Sequence, residues 1–228
     1  MKKVIIGIFA HPDDEAFGPS GTLMLEKDAG ADIHLFTLTA GEAGENPDSL
    51  HNLGETRLKE WRAAGELIGA TSMHHLGYKD GTLSNLSLLE AAGTVEASIR
   101  KLLDTYDDNT EIDFMCFDLN GISGHIDHIV ASRLACLVFY RLRAIDKRLK
   151  RLRLFCIPQE AAPSMNTQWL FMEPGRTHSE IHEIIDATAL SERITEVIRC
   201  HKTQRGDGEG HIERLGDRLG MNYFLIKD

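Results

Sequence analysis

This chain lacks the long apolar run that a membrane-spanning helix needs. None of its apolar stretches approaches the roughly 20 residues that cross a bilayer. The first residues, MKKVIIGIFAHPDDE, carry two lysines and an apolar stretch, as a secretion signal does. That stretch is too short, however, and acidic residues follow it where a small-residue cleavage site should lie. The sequence therefore predicts a cytoplasmic protein that does not act in a membrane.

Excess positive charge and paired cysteines are missing as well. The 35 acidic residues outnumber the 25 basic ones, and the net charge of -10 argues against nucleic acid or an anionic membrane as the main partner. The four cysteines form no CxxC pair, so we interpret them as buried, reduced thiols. No GxGxxG follows the first apolar run, residues 4–10, which argues against dinucleotide binding.

What the chain does contain is a regular alternation of strand-like and helix-like segments. Alternation of this kind is typical of the α/β class, with a Rossmann-like, mainly parallel sheet and helices on both faces. We expect a single domain over residues 1–228 with three layers. Towards the end of the chain, the pattern predicts a helix over residues 184–202, a glycine-rich loop over 204–222 and a last strand over 223–226.

One imidazole and three carboxylates follow the first strand within five residues, His11-Pro12-Asp13-Asp14-Glu15. Crowded carboxylates repel one another and raise each other's pKa unless a cation lies among them. Imidazole nitrogens and carboxylate oxygens are ordinary ligands of zinc and similar divalent ions. The sequence therefore predicts a metal site at the end of this strand, where parallel sheets bind their ligands.

A second cluster, GHIDH at residues 124–128, also follows a predicted strand, residues 112–119. If the two strands are neighbours in the sheet, their ends meet. A shared site would then have more candidate groups than the three protein ligands of a usual catalytic zinc site. The others could transfer protons or orient ligands. The candidates are His11, Asp13, Asp14, His125, Asp127 and His128.

AHPDDE near the start of the chain and HxDH at this distance from it resemble the PIG-L/LmbE family of zinc-dependent N-acetylglucosaminyl de-N-acetylases. Weaker similarities extend through most of the chain. The segment TAGEAG at residues 39–44 is similar to the family's TxGExG loop, and RLKE at 57–60 is similar to its RxxE helix. Asp80-Gly81 matches its DG turn, and HKTQ at 201–204 resembles its HxSQ segment.

The resemblance implies a role for each member of the two clusters. It implies that Asp13 is the general base, that His125 is the catalytic histidine and that Asp127 orients this histidine. A cationic His125, its pKa raised by Asp127, would stabilise the oxyanion or protonate the leaving amine. The metal ligands implied by the match are His11, Asp14 and His128.

The resemblance also implies that Arg57 and Asp80 hold the sugar. The chain departs from the family pattern at Ile126, where proline is usual, and at Thr203, where serine is usual. Neither change removes a reactive group, although losing proline could alter the rigidity of the loop.

The activity that this match implies is removal of the N-acetyl group from an N-acetylglucosamine-type conjugate, a small molecule, with release of acetate and a free amine. The cofactor would be Zn²⁺, while Fe²⁺ and Co²⁺ also suit these ligands. Homo-oligomerisation is a family property that the sequence does not reveal. Two alternatives stay open: an amidase of the same family that cuts a larger thiol-conjugate amide, and a non-catalytic, Rossmann-like binding module.

Several other residues have both structural and functional interpretations. Asp127 could simply cap the helix that begins near His128. Glu15 is interpreted as a structural carboxylate, and His201 as a charge at a helix end. Trp169 could line a substrate groove, and His211 is interpreted as a surface residue.

Overall fold

The computed structural model describes residues 1–162 and 175–228. Trp169 lies outside the described residues, so its expected place along a groove stays a prediction. Within the described part of the chain, no helix is long and apolar enough to cross a lipid bilayer.

The described residues contain one sheet of seven strands in the order β3-β2-β1-β4-β5-β7-β6. The strands from β1 to β5 run parallel, whereas β7 pairs antiparallel with β5 and β6. The prediction of a mainly parallel sheet is confirmed. The strands are β1 (Lys3–Phe9), β2 (Asp32–Thr39), β3 (Ser72–Tyr78), β4 (Glu111–Phe117), β5 (Leu149–Cys156), β6 (Glu183–Asp186) and β7 (Met221–Lys227).

Helices cover both faces of this sheet. Residues of β1 alternate between the faces, so that Ile6 and Ile8 pack with α4 and α6, whereas Ile5 and Phe9 pack with α2, α3 and α7. Burial on both faces explains why β1 is an unbroken apolar run. The helices in the described residues are α1 (Asp14–Phe17), α2 (Ser20–Asp28), α3 (Leu53–Ile68), α4 (Asn85–Leu103), α5 (Gly121–Gly124), α6 (Ile126–Arg143), α7 (Ser191–Arg199) and α8 (Arg205–Leu215).

The predictions for residues 184–202 and 204–222 are partly wrong. The first range begins in strand β6, which pairs with β7, and its α-helix is limited to α7, after one 3₁₀ turn at Thr188–Leu190. The second range contains helix α8 rather than a long loop. A Cβ atom at Gly208 would lie 3.0 Å from Ile198, so this glycine allows α8 to approach α7 closely. The pairing of β6 with β7 and the packing of α8 on α7 are tertiary contacts, and they outweigh the local conformational preferences of these residues.

A buried arginine makes the β5 region sensitive to the loss of its partners. Arg153 is 2% exposed, and its guanidinium pairs with Glu26 and, at 2.7 Å, with Glu183. We expect Glu26→Ala to lower the free energy of unfolding by about 2–4 kcal/mol, because a buried charge loses one of its partners. Urea unfolding measures this loss. Glu209→Ala is the control, since Glu209 pairs with Arg199 in an exposed position and its removal should leave the midpoint nearly unchanged.

Candidate functional site

The two clusters meet at the carboxyl ends of two adjacent strands. β1 lies between β2 and β4, so the strand order reverses at this point of the sheet. Open α/β sheets bind ligands in the crevice at such a reversal. His11 follows β1, and His128 lies in the first turn of α6, which follows β4 and α5. Nδ1 of His11 lies 3.0 Å from Nε2 of His128, so the strand ends come together as the sequence predicts.

The three predicted metal ligands approach one another in pairs. Oδ1 of Asp14 lies 3.1 Å from Nε2 of His128, and Oδ2 of Asp14 lies 3.9 Å from Nδ1 of His11. Burial would raise the pKa of Asp14, but the charge and hydrogen bond of His128 and the charge of His11 hold it well below its usual range. Two imidazole nitrogens and an ionised carboxylate in a largely buried position fit a divalent cation such as zinc.

The backbone fixes the direction of the Asp14 carboxylate. Its Oδ2 accepts hydrogen bonds from the N–H groups of Ala10 and His11, each at 2.9 Å. Oδ1 is thereby directed towards His128. A carboxylate held in this way needs little reordering to bind a cation.

His11 is oriented by carboxylates on its far side. Nε2 of His11 lies 3.0 Å from Oδ1 of Asp80 and 3.6 Å from Oδ2 of Asp127. Burial lowers the pKa of His11, but hydrogen bonds to Asp127 and Asp80 outweigh it and raise the pKa to about 10. A pKa of about 10 means that both ring nitrogens of His11 carry protons at neutral pH, so a bound cation would replace the proton on Nδ1 while the carboxylates keep the proton on Nε2.

Two further groupings in the described residues could also hold a cation. The ligand atoms of His11, His125 and His128 lie within 4.8 Å of one another, and so do those of His11, Asp80 and Asp127. Both groupings share His11 with the predicted set, and neither contains Asp14. Which set binds a metal therefore depends on which of its ligand atoms already form hydrogen bonds within the protein.

His125, and not Asp127, caps helix α6. Nδ1 of His125 accepts a hydrogen bond from the backbone N–H of Asp127 at 3.2 Å, so the interpretation of Asp127 as the N-cap is wrong. The Asp127 carboxylate accepts hydrogen bonds from the N–H groups of Gly81 and Leu83, at 2.8 and 3.1 Å. Asp127 thus connects the start of α6 to the turn that follows β3.

The electrostatic surroundings favour a neutral His125. Burial lowers its pKa to about 4, with help from His128 and His11, while the charge of Asp127 opposes the shift. Because Nδ1 accepts a hydrogen bond, the ring proton lies on Nε2. His125 therefore offers an N–H donor, whereas the sequence predicts a cationic ring.

His128 is held by groups that sequence reasoning missed. Its Nδ1 lies 3.0 Å from the carbonyl oxygen of Gly121 and 3.1 Å from Oγ of Ser123, which leaves Nε2 for the ligand position. Gly121 has a φ of 71°, and a Cβ atom there would lie 2.9 Å from Cβ of His128. The glycine after the predicted strand is the one sequence signal that could have pointed to this contact.

Asp13 is buried against an arginine. Nη2 of Arg57 donates to Oδ2 of Asp13 at 2.9 Å and to the carbonyl oxygen of Pro12 at 3.0 Å, while Nη1 donates to that of Gly41 at 2.7 Å. Burial raises the pKa of Asp13 to about 6, and the charge of Arg57 opposes this rise. Asp13 has a φ of 124°, a conformation that L-residues rarely adopt. The hydrogen bonds of Arg57 help to hold this strained residue in place.

The glycines of the TAGEAG loop make room for this arginine. A Cβ atom built on Gly41 or on Gly44 would overlap the guanidinium of Arg57. Gly41 also has a φ of 68°. The loop and the RLKE helix therefore form one unit, with the arginine packed between them.

Glu15 and His201, whose roles the sequence leaves open, are paired in the interior. Each is 1% exposed, and Oε1 of Glu15 lies 3.7 Å from Nε2 of His201. Oε2 of Glu15 accepts a hydrogen bond from the Trp61 indole at 3.1 Å. His201 is therefore an interior group and not an exposed charge. Nearby, Thr203 donates through its N–H and its hydroxyl to Glu60, which attaches the HKTQ segment to α3.

Comparison with known proteins identifies the relatives of this chain. The family model PIG-L, GlcNAc-PI de-N-acetylase, matches residues 6–139, which include every predicted site residue. A deacetylase of 1D-myo-inositol 2-acetamido-2-deoxy-alpha-D-glucopyranoside from Acidothermus cellulolyticus is 26% identical over an alignment of 263 residues that covers 100% of this chain and 88% of the relative.

Solved structures share the fold at lower identity. N,N'-diacetylchitobiose deacetylase from Pyrococcus horikoshii has a TM-score of 0.68 at 22% identity, covering 99% of this chain and 83% of its own. GalB, the 4-carboxy-2-hydroxymuconate hydratase from Pseudomonas putida, has a TM-score of 0.67 at 16% identity, covering 100% and 97%. Since one of these enzymes is a deacetylase and the other a hydratase, the fold alone does not define the chemistry.

Proposed function

Because this chain belongs to the PIG-L family of de-N-acetylases, we propose that it is a metal-dependent hydrolase that removes the N-acetyl group from an N-acetylglucosamine-type conjugate. The products are acetate and a free amine. The observation that supports this best is the convergence of His11, Asp14 and His128 beside the buried Asp13. Relatives that act on small acetamido-sugar conjugates support the same substrate class.

We assign metal binding to His11, Asp14 and His128. A zinc ion bound to them would polarise the amide carbonyl and increase the acidity of water. The carboxylates of Asp80 and Asp127 hold a proton on Nε2 of His11, so a bound metal would replace the proton on Nδ1. Iron(II) and cobalt(II) suit the same donors, so the choice among these metals requires measurement.

Asp13 acts in this mechanism as the general base. It takes a proton from the attacking water, and a pKa of about 6 lets it accept that proton at neutral pH while it starts ionised. Arg57 keeps the carboxylate in a single orientation through the hydrogen bond to Oδ2. The proton then passes to the amide nitrogen as the C–N bond breaks.

His125 stabilises the charge that develops on the carbonyl oxygen. With Nδ1 occupied by the N–H of Asp127, a neutral His125 donates through Nε2. Asp127 acts on His125 through its backbone and on His11 through its carboxylate.

Arg57 and Asp80, which the family resemblance assigns to the sugar, face other site residues. Arg57 is 4% exposed and Asp80 is 6% exposed. Within the described residues, Nε of Arg57 has no hydrogen-bond partner. Because this nitrogen is buried, we propose that Arg57 contributes to sugar binding by holding the loop at Gly41, whose carbonyl oxygen accepts its hydrogen bond, and that Asp80 does so by fixing the same loop at Ala43, from whose N–H it accepts a hydrogen bond at 2.9 Å.

Metal analysis combined with product analysis tests the proposal. The purified protein should contain about one divalent ion per chain, and N-acetylglucosamine conjugates of inositol or malate should yield acetate and amine in equal amounts. A chelator should stop the reaction, and zinc should restore it. Cleavage restricted to larger amides would favour the thiol-conjugate amidase, whereas a metal-free protein that is inactive on every acetamide would favour the binding module.

The space that Gly41 and Gly44 leave for the guanidinium of Arg57 yields a further prediction. We expect Gly44→Ala to lower kcat by about 10- to 100-fold, because the new methyl group displaces the guanidinium from Asp13. Gly93→Ala is the matched control, since a Cβ atom at Gly93 in α4 meets no atom within 4 Å. Steady-state kinetics on both variants measure the effect. Wild-type kcat in a folded Gly44→Ala protein would show that Arg57 need not hold Asp13.

A further inference from the structure

An apolar pocket of about 250 Å³ lies beside the candidate metal ligands. Asp14 and His128 form part of its wall. Of the described residues around Asp13, neither Arg57 nor Asp80 lines it. Among the described residues, the rest of the wall comes from the ends of β4 and β5, from the segment 157–161 and from α1, α2, α5, α7, α8 and β7, and includes Phe17, Phe117, Ile122, Phe155, Leu215 and Tyr223.

Two polar side chains on this wall already have partners in the protein. Oγ of Ser20 donates to the carbonyl oxygen of Ala16 at 2.9 Å. Oδ1 of Asn222 accepts from the N–H of Thr22 at 3.0 Å and from its hydroxyl at 2.7 Å. These two side chains thus have little left to offer to a ligand rich in hydroxyl groups, and most of the other wall residues named above are apolar.

His211 belongs to this wall, so its interpretation as a surface residue is wrong. Its ring is half-buried and stacks on Phe17, with the ring centres 5.7 Å apart. Burial lowers the pKa of His211 to about 4, and Arg214 contributes to the shift. A neutral ring adds an apolar face to the pocket, while Arg214 is exposed at its rim.

The two halves of an N-acyl amino sugar differ in what they need from such a pocket. A sugar ring placed there would lose its hydrogen bonds to water without replacement, which is costly. An acyl chain has no such cost and is bonded directly to the carbon that water attacks. Water occupies roughly 30 Å³ in the liquid, and a methyl group is of similar size, so the pocket is several times larger than acetyl requires.

We propose that this pocket binds the acyl group, and that the enzyme, besides removing acetyl, hydrolyses more efficiently those N-acyl amino sugars whose acyl group is a short to medium aliphatic chain. This inference rests on the proposed function and specifies its substrate class. The reaction is still the hydrolysis of an amide. The oxygen of water joins the acyl carbon, the C–N bond breaks, and the nitrogen leaves as the protonated amine while a fatty acid takes the place of acetate.

A substrate series tests the inference. In glucosamine substrates that carry acetyl, butanoyl, hexanoyl or octanoyl on nitrogen, kcat/KM should rise about fourfold per buried methylene until the pocket is full. Hexanoyl should therefore exceed acetyl by on the order of a hundredfold. A second series keeps acetyl on nitrogen and compares methyl with octyl glycosides. A chain-length effect confined to the glycosides would place the apolar group on the amine side and overturn the proposal.

Filling the pocket should reverse the preference. Leu215→Trp and Ala161→Phe add bulk from different parts of the wall, and each should lower the hexanoyl-to-acetyl ratio of kcat/KM at least tenfold. Leu67→Trp is the matched control, because Leu67 is 44% exposed on α3 and does not line the pocket. Its ratio should equal that of the wild type. An unchanged ratio in both folded pocket variants would contradict the proposal.

A binding measurement separates the failure of this inference from the failure of the proposed function. In calorimetric titrations of the zinc-loaded protein, hexanoate should bind at least tenfold more tightly than acetate, and Leu215→Trp should remove the difference. An active deacetylase that shows no gain with longer chains would overturn the acyl pocket alone. A protein that hydrolyses no amide would overturn the proposed function, and equal binding of hexanoate and acetate would then overturn the pocket as well.

Discussion

Replacing Asp13 with asparagine should lower kcat by about 10²- to 10⁴-fold, the usual contribution of a general base, and leave the metal bound. The amide cannot take a proton from water, but it keeps the volume of the carboxylate. Asparagine also tolerates positive φ better than most residues, which matters at a backbone φ of 124°. The metal should remain because the predicted ligands are other side chains, His11, Asp14 and His128.

Metal content and kcat must be measured on the same preparation. Asp28→Asn makes the same chemical change at an exposed residue that pairs with Arg193, and it should alter neither quantity. Loss of zinc together with activity would mean that Asp13 supports the metal instead of acting on water. A kcat within threefold of the wild type at full metal content would exclude Asp13 as the base.

The sequence predicts those site residues that directly follow a recognisable strand. The position of β1 follows from an unbroken apolar run, and the His and Asp residues after it identify the crevice. The sequence leaves open whether β1 and β4 are neighbours, and the strand order of the sheet shows that they are. The convergence of His11 and His128 therefore needs this adjacency as well as local patterns and one general rule of architecture.

Side-chain pairings across the chain are not encoded locally. The contacts of Arg57 with Asp13 and of His201 with Glu15 join residues 44 and 186 positions apart. The direction of each side chain depends on packing that no periodic pattern reveals. Strand β6 is similar, because its four residues form a strand by pairing with β7. The errors after residue 180 therefore share a cause with the missed contacts inside the site.

The ligand set itself can be distinguished by a pair of variants. Asp14→Ala should weaken zinc binding by more than about 100-fold, because it removes a carboxylate that two backbone N–H groups direct at the site. His125→Ala should keep the zinc and lose most of kcat, because Nδ1 of His125 is occupied by the N–H of Asp127 and its other nitrogen carries the proton. Competition with a chelator of known affinity measures both zinc constants.

This pair separates the predicted set from the grouping of three histidines. If His11, His125 and His128 bound the metal, His125→Ala would lose it and Asp14→Ala would retain most of it. Urea unfolding of the metal-free variants is the control, since a variant that fails to fold loses zinc for a trivial reason. The physical basis of our assignment is that an ionised carboxylate offsets part of the charge of a buried dication, whereas a third neutral imidazole supplies a lone pair without charge. Zinc binding should therefore depend on Asp14, and kcat should depend on both Asp14 and His125.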